Sequence, residues 1–308
     1  LHASARPLVS VVVFIYNAAA TIERALASVA AQKPPQVELV VMDGGSTDGT
    51  VEIIRKYESS IAFWRTRRDG SAAVAINEGV QRASGEVIGL LPGDDWYERG
   101  ALARVVDAFR ADPKLDVLST GCRYLRARAD GVPEVVKQFL DERSLAYTMA
   151  NLVRWPMTPA RFIRREYYTK LSGYNAGYLI SNDLDFLIKV LQQRPRTRTL
   201  PAPVYNFEVH PGSRSLGGER SMVLEMLRGN IGVAEEHLRS RSFTRAERAE
   251  LRGLHGRAST RLAWTHLRGG ERAAALRVVG RALRRNWALP LMVPVWAARR
   301  ALRREGFF

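Results

Sequence analysis

Cysteine is nearly absent from this chain, with Cys122 the only one in 308 residues. No intramolecular disulfide can form, and no thiolate zinc or iron–sulfur site can be assembled. A reducing compartment accords with that, and a cytoplasmic protein is the expectation. Lysine is scarce too: it occurs only at 33, 56, 114, 137, 170 and 189, so the cationic character rests on arginine. Long apolar runs are lacking. Residues 1–7 hold none of signal-peptide length, and the apolar run at 288–298 (ALPLMVPVWAA) falls well short of the roughly 20 residues that span a bilayer.

What is present is globular composition, 46% hydrophobic and 25% charged. The net charge is +16, of which residues 241–308 carry +12. Neither a groove-reading motif nor a stacking platform accompanies that charge, so nucleic acid is not an expected partner. The 288–298 run contains Pro290 and Pro294. It is bracketed by Arg281, Arg284 and Arg285 before and Arg299, Arg300, Arg303 and Arg304 after, with Trp287 and Trp296 in its flanks. Apolar residues framed by Arg and Trp suit a segment lying in the interface of an anionic membrane, a peripheral contact on the inner face of the cell membrane. The competing expectation is a helical appendix with a solvated arginine face.

Residues 8–16 (LVSVVVFIY) form an unbroken β-branched and aromatic run, the pattern of a strand covered on both faces. Asn17 and Thr21 then offer caps for a helix with Ile22, Leu26 and Val29 on one face. The alternation continues with strands at 37–42, 61–64 and 87–91 and helices at 50–57 and 71–82. Such alternation predicts an α/β fold, a doubly wound sheet with right-handed crossovers. From 115 to 139 the pattern changes to short strands and polar turns, with further strands expected at 154–164 and 204–209. After about residue 221 it reads as helix, broken at Gly269-Gly270. The expected organisation is a catalytic domain over 1–220 and a basic helical region over 221–308.

Ligands of a doubly wound sheet bind outside the carboxyl ends of its strands. Three polar clusters fall there: Tyr16-Asn17, residues 43–48, and Asp94-Asp95. Each alone reads equally well as a solvated turn. In order and spacing, however, the stretches VSVVVFIYNAAATIERALASVAAQ, VELVVMDGGSTDGT and RRDGSAAVAINEGVQRASGEVIGLLPGDDWY resemble the inverting, nucleotide-sugar-dependent family 2 glycosyltransferases of GT-A fold. The resemblance runs from about residue 8 to about residue 210. It implies a mixed, mainly parallel sheet flanked by helices, here with a C-terminal helical extension. It also implies a divalent cation, Mn²⁺ or Mg²⁺, to neutralise the diphosphate leaving group.

By that resemblance Asp95 is the metal ligand and Asp94 the ribose contact; Gly93 and Pro92 stand where many members carry further acids. Asp43 matches the nucleobase-contacting acid, which accepts from the imide N–H of uracil or thymine and so favours UDP or dTDP donors; the competing role is a turn or helix cap. Arg68-Asp69-Gly70 matches a second base-side signature, with Asp69 the contact and Arg68 on phosphate. Tyr16 and Asn17 join the nucleotide-sugar set, whereas Asn77 and Gly79 read as packing residues. His210 stands as a metal or phosphate ligand, with Arg214 an alternative on phosphate. Trp96 and Trp155 read as core or rim aromatics or as sugar-stacking rings.

An inverting transfer needs one base to take the acceptor hydroxyl proton as the new bond forms. Aligning SNDLDF with the family places it on Asp183, with Asp185 the rival and helix capping the competing role for Asp183. The expected acceptor is a glycan or lipid-linked hydroxyl in bacterial cell-surface polysaccharide or glycolipid synthesis. The alternative is a catalytically inactive nucleotide-sugar or glycan-binding module.

Overall fold

In the computed structural model, residues 8–32, 34, 36–128, 132–210 and 219–285 are described. Strand β1 (Val9–Ile15) is central, and Val9, Val11, Val12 and Val13 have no exposed surface, as an uninterrupted apolar run requires. Helix α1 (Ile22–Ala30) follows, burying Ile22, Ala25, Leu26 and Val29 on one stripe. Its expected cap differs: the Thr21 side chain makes no capping bond and instead donates to the Gly93 carbonyl at 3.0 Å, tying the helix start to the loop after a distant strand. Strand β2 (Val37–Asp43), helix α2 (Thr50–Lys56), strand β3 (Phe63–Thr66), helix α3 (Ala72–Arg82) and strand β4 (Val87–Pro92) complete the alternating half.

Helix α3 sits tightly on the sheet because residue 79 is glycine. A Cβ there would stand 2.4 Å from Val12 Cγ1 and 3.0 Å from Met42 Cγ. Its other face holds Asn77, whose amide takes the Tyr174 N–H at 2.7 Å and donates to the Tyr174 carbonyl at 2.8 Å.

Beyond β4 come the short β5 (Trp96–Tyr97), helix α4 (Ala101–Ala111), β6 (Val117–Arg126), β7 (Glu134–Phe139), the short helices α5 (Glu142–Leu145) and α6 (Met149–Leu152), β8 (Arg161–Arg164), α7 (Arg165–Lys170), α8 (Asn182–Gln192) and β9 (Thr197–Glu208). The strand expected over 154–164 forms only from Arg161; the residues before it turn under a left-handed Met157. Sheet order is β3-β2-β1-β4-β8-β6-β9-β5, with β7 on β6. Pairing is parallel across β3-β2-β1-β4 and between β6 and β9, and antiparallel at β4-β8, β8-β6, β9-β5 and β6-β7. The sheet is therefore mixed and flanked by helices.

By contacts the chain forms two compact units, dividing at 177/178, 184/185 and 217/218. The first contains the sheet. The second contains α9 (Arg220–Leu238), α10 (Arg245–Arg268) and α11 (Arg272–Arg285), with residues 178–184 packed among them through Ser181 Oγ on Asn230 Oδ1 at 2.9 Å and Tyr178 OH on Glu236 at 2.8 Å. Helix α10 opens on a capping box between Thr244 and Glu247. No helix of the described residues is long and apolar enough to cross a membrane. The 288–298 run and Arg214 lie outside the described residues.

Candidate functional site

Strands β2, β1 and β4 end level with one another, Asp43 opposite Ile15 and Pro92 opposite Phe14. The loops that follow β2 and β4 therefore flank the end of β1, about 10 Å apart across two strand spacings. Three groups of predicted residues meet at this edge.

The first surrounds Asp43. Its side chain is fully buried. Oδ2 accepts from the Gly45 N–H at 3.0 Å, the Ser46 N–H at 2.9 Å and the Thr66 hydroxyl, while Oδ1 accepts from the Ser46 hydroxyl. Three of the four donors belong to the loop that follows β2 and the fourth, Thr66, ends the neighbouring β3, so the carboxylate shapes the turn. Gly45 must be glycine here, with φ +84° and the Arg68 nitrogen 2.9 Å from where a Cβ would lie. Asn17, itself at φ 47°, accepts from Thr47 N–H at 3.0 Å and donates its own N–H to Ser46 Oγ at 2.7 Å. Asp48 links the same loops, accepting from Ala19 N–H at 3.0 Å and Thr50 N–H at 3.1 Å.

The second group stands above Gly44. Gly44 is buried, and a Cβ on it would lie 3.3 Å from the Ile15 carbonyl oxygen and 3.4 Å from both Asp69 Oδ1 and Tyr16 Cβ, so the glycine lets Asp69 and Tyr16 close in on the end of β1. Tyr16 is 55% exposed. Asp69 is held through Oδ2 by both terminal nitrogens of Arg65 at 3.2 Å. Arg65 also donates to the Asp43 carbonyl at 2.5 Å and to Glu78 at 2.9 Å. Arg65 and Gly44 are the residues that reading the sequence missed: only the glycine pair at 44–45 hinted at a close approach of neighbouring residues, and nothing local marked Arg65. Arg68 is exposed on the same loop.

The third group follows β4. Asp94, 32% exposed, has Oδ2 3.1 Å from His210 Nε2. Arg24 donates to the Asp94 carbonyl at 2.9 Å, pairs with Glu208, and lies 3.8 Å over the Trp96 ring. Asp95 faces the other way and is buried, accepting from the Tyr205 hydroxyl and, at 2.9 Å, from the Glu208 N–H of β9. Burial, with the adjacent Asp94 charge, pushes its carboxyl well above the usual carboxylate range despite those donors. Among the described residues no group of three or more His, Cys, Asp or Glu is placed to hold a metal ion.

Asp183 stands in the second unit, in the first turn of α8, half-buried and accepting the Leu184 N–H at 2.7 Å. Asp185 is in the first unit, fully buried, and takes Lys189 Nζ at 2.7 Å. Trp155 packs against Phe139 and Tyr124 with Lys137 Nζ 3.7 Å over its ring, which makes it a cluster aromatic.

Residues 10–172, more than half of the chain, match the family described as glycosyl transferase family 2. The chain belongs to that family. An uncharacterized glycosyltransferase of Mycobacterium tuberculosis is 26% identical over 190 residues, covering 59% of this chain and 68% of that one. Among solved structures, the mannosyltransferase PcManGT of Pyrobaculum calidifontis, in complex with GDP-Man and Mn²⁺, superposes with a TM-score of 0.62 at 20% identity over 98% of this chain and 82% of its own. TarS 1-349 of S. aureus in complex with UDP gives 0.56 at 19% identity over 90% and 91%. These likenesses establish the fold, the GT-A-type arrangement of the family.

Proposed function

We propose that this family 2 enzyme transfers a sugar from a UDP- or dTDP-sugar to a hydroxyl acceptor with inversion. The observation that carries the reading is the pairing of Asp94 with His210 at 3.1 Å, at the strand edge that also carries Tyr16 and Asp69 on either side of Gly44. In this reading the pyrimidine lies against the exposed Tyr16 ring, and Asp69 Oδ1 accepts its imide N–H. Asp43 keeps the loop in shape rather than touching the base. Arg68 is on hand for phosphate, and Asn17 fixes the loop that bears Tyr16.

The oxygen and imidazole nitrogen of Asp94 and His210 form a mixed donor pair of the kind Mn²⁺ accepts, and Mg²⁺ less readily. Two protein ligands leave room for diphosphate oxygens, so the residues fit a cation. When bound it would neutralise the departing nucleoside diphosphate. In this reading Asp95, with both oxygens already accepting, positions Asp94 and β9, and the cation falls to Asp94. Asp183 is the base that takes the acceptor proton while the glycosidic bond to the leaving group breaks, and Asp185, held by Lys189, is not. The acceptor is a hydroxyl on a glycan or lipid-linked glycan.

Calorimetric titration of UDP, dTDP and GDP with and without Mn²⁺ tests this, together with donor hydrolysis. Mn²⁺-dependent UDP or dTDP binding should weaken at least about tenfold in Asp94→Ala and His210→Ala, as loss of a metal ligand implies, and survive in Asp95→Asn. Absence of binding by either pyrimidine nucleotide overturns the donor assignment. Retained binding without hydrolysis or transfer would favour an inactive binding module.

A further inference from the structure

We propose that the exposed face of helix α11 is a docking face for an anionic phospholipid bilayer. The helix (RAAALRVVGRALRR) is amphipathic in an unusual way. Ala275 and Ala282 are buried, and Val278 packs against the cluster of Leu224, Leu227, Ala258 and Leu262, which accounts for one apolar face. A second stripe of Leu276, Val279 and Leu283, at spacings of three and four, remains in solvent at 72%, 37% and 40% exposure. A helix that only packed against its neighbours would carry polar residues there.

The charge around the stripe identifies the occupant. The helix holds Arg272, Arg277, Arg281 and Arg284, all exposed, and no acidic residue. Glu271, just before it, is already engaged by Arg220 and His266. Guanidinium forks suit phosphate oxygens, and the exposed stripe suits the first methylenes of the acyl chains. At 14 residues the helix is about 21 Å long, too short to span and suited to lying flat in the interface. A second copy docking α11 against α11 would set arginine against arginine. Nucleic acid would use the charge but give no reason for the leucines. The proposal is independent of the transferase reading and concerns residues other than the 288–298 run.

The test is co-sedimentation of the full chain with phosphatidylcholine vesicles and with vesicles of phosphatidylcholine and phosphatidylglycerol. The wild type should bind the anionic vesicles at least about tenfold more tightly, with the preference falling as salt rises. Leu276→Glu/Leu283→Glu and Arg277→Gln/Arg281→Gln should each lower that binding about tenfold or more, with unchanged thermal unfolding and unchanged nucleotide binding. The milder Leu276→Gln/Leu283→Gln serves if the glutamates disturb the helix. Equal binding to both vesicle types overturns the proposal, as does wild-type binding by both double variants. So does a dimer that the leucine variants dissolve, or duplex DNA binding that needs the arginines but not the leucines.

Discussion

Replacing Asp43 separates a carboxylate that shapes a loop from one that reads a base. In Asp43→Ala the Gly45 and Ser46 N–H groups lose their acceptor, while the Ser46 and Thr66 hydroxyls can rotate elsewhere. Stranding two partly buried backbone donors costs about 1–3 kcal/mol each, so about 2–4 kcal/mol is expected with some water access. That is a large share of a stability of roughly 5–15 kcal/mol. Asp43→Asn behaves differently. Its carbonyl oxygen can keep both N–H bonds at the Oδ2 position and its NH₂ can donate to a re-aimed Ser46 hydroxyl, leaving a loss of about 1 kcal/mol in charge assistance. Thermal unfolding should therefore fall by about 2–4 °C for Asn and by several times that for Ala. UDP affinity of the Asn variant should stay within about threefold, since no base contact is lost. An Asp43→Asn variant with unchanged Tm and UDP affinity down tenfold or more would refute the reasoning and return the base contact to Asp43.

Gly79→Ala forces a methyl to within 2.4 Å of Val12 Cγ1, so it should destabilise by about 1–3 kcal/mol in denaturant unfolding; a smaller effect would mean α3 lifts freely from the sheet. Cys122, whose thiol burial pushes up to about 12, should resist iodoacetamide at pH 8 on the time scale that modifies the unfolded chain at once. Glu78 is opposed by burial, but Arg67 and Arg65 hold its carboxyl below the ordinary 4.5. A depressed acid stabilises the fold above that value and loses its contribution as pH falls through the folded pKa, so Glu78→Gln should flatten the acid limb of the stability profile below about pH 4.5 and leave a lower plateau at neutral pH. An unaltered acid limb would show that the arginines find other partners. Arg24→Ala should loosen Asp94 and Glu208 together, raising the apparent Kd for Mn²⁺ with UDP more than that for UDP alone; equal effects would limit Arg24 to the Trp96 stack.

The alternating half of the fold was legible because its signals are local. A run apolar but for Ser10 makes β1, and a four-residue stripe makes α1. The strand over 154–164 was overextended because Pro156 and Pro159 and the left-handed Met157 interrupt it, and apolar content outweighed them in the reading. Asp94 and His210 were legible as polar residues after strands, and Asp69 as a position through the resemblance of Arg68-Asp69-Gly70 to the family. Asp43 was legible as a position, but its partners include Thr66, which arrives with a different strand. Arg65 looked like one arginine among several in a basic turn, and only the fold shows it joining β2, α3 and Asp69.

The pair Asp94-Asp95 shows where local reading must stop. Consecutive residues leaving a strand point to opposite sides, so one of two adjacent aspartates faces the strand edge and the other faces the sheet. Which one is buried is decided by what packs behind them, and here that is β9. Tyr205 and the Glu208 N–H arrive more than a hundred residues later, seated by the pairing of Trp96 with Asn206 and Tyr97 with Tyr205. A one-residue slip of that pairing would turn Tyr205 away from Asp95 and leave a buried carboxyl without its hydroxyl partner. The same strand carries His210 just beyond its end, 3.1 Å from Asp94. The register of β9 thus buries one aspartate and supplies the imidazole to the other. A substitution that weakens β5–β9 pairing, such as Tyr205→Ala, should therefore impair Mn²⁺-dependent nucleotide binding although Tyr205 touches neither ligand. Tyr205→Phe, which keeps the packing and removes only the hydroxyl, should impair it less.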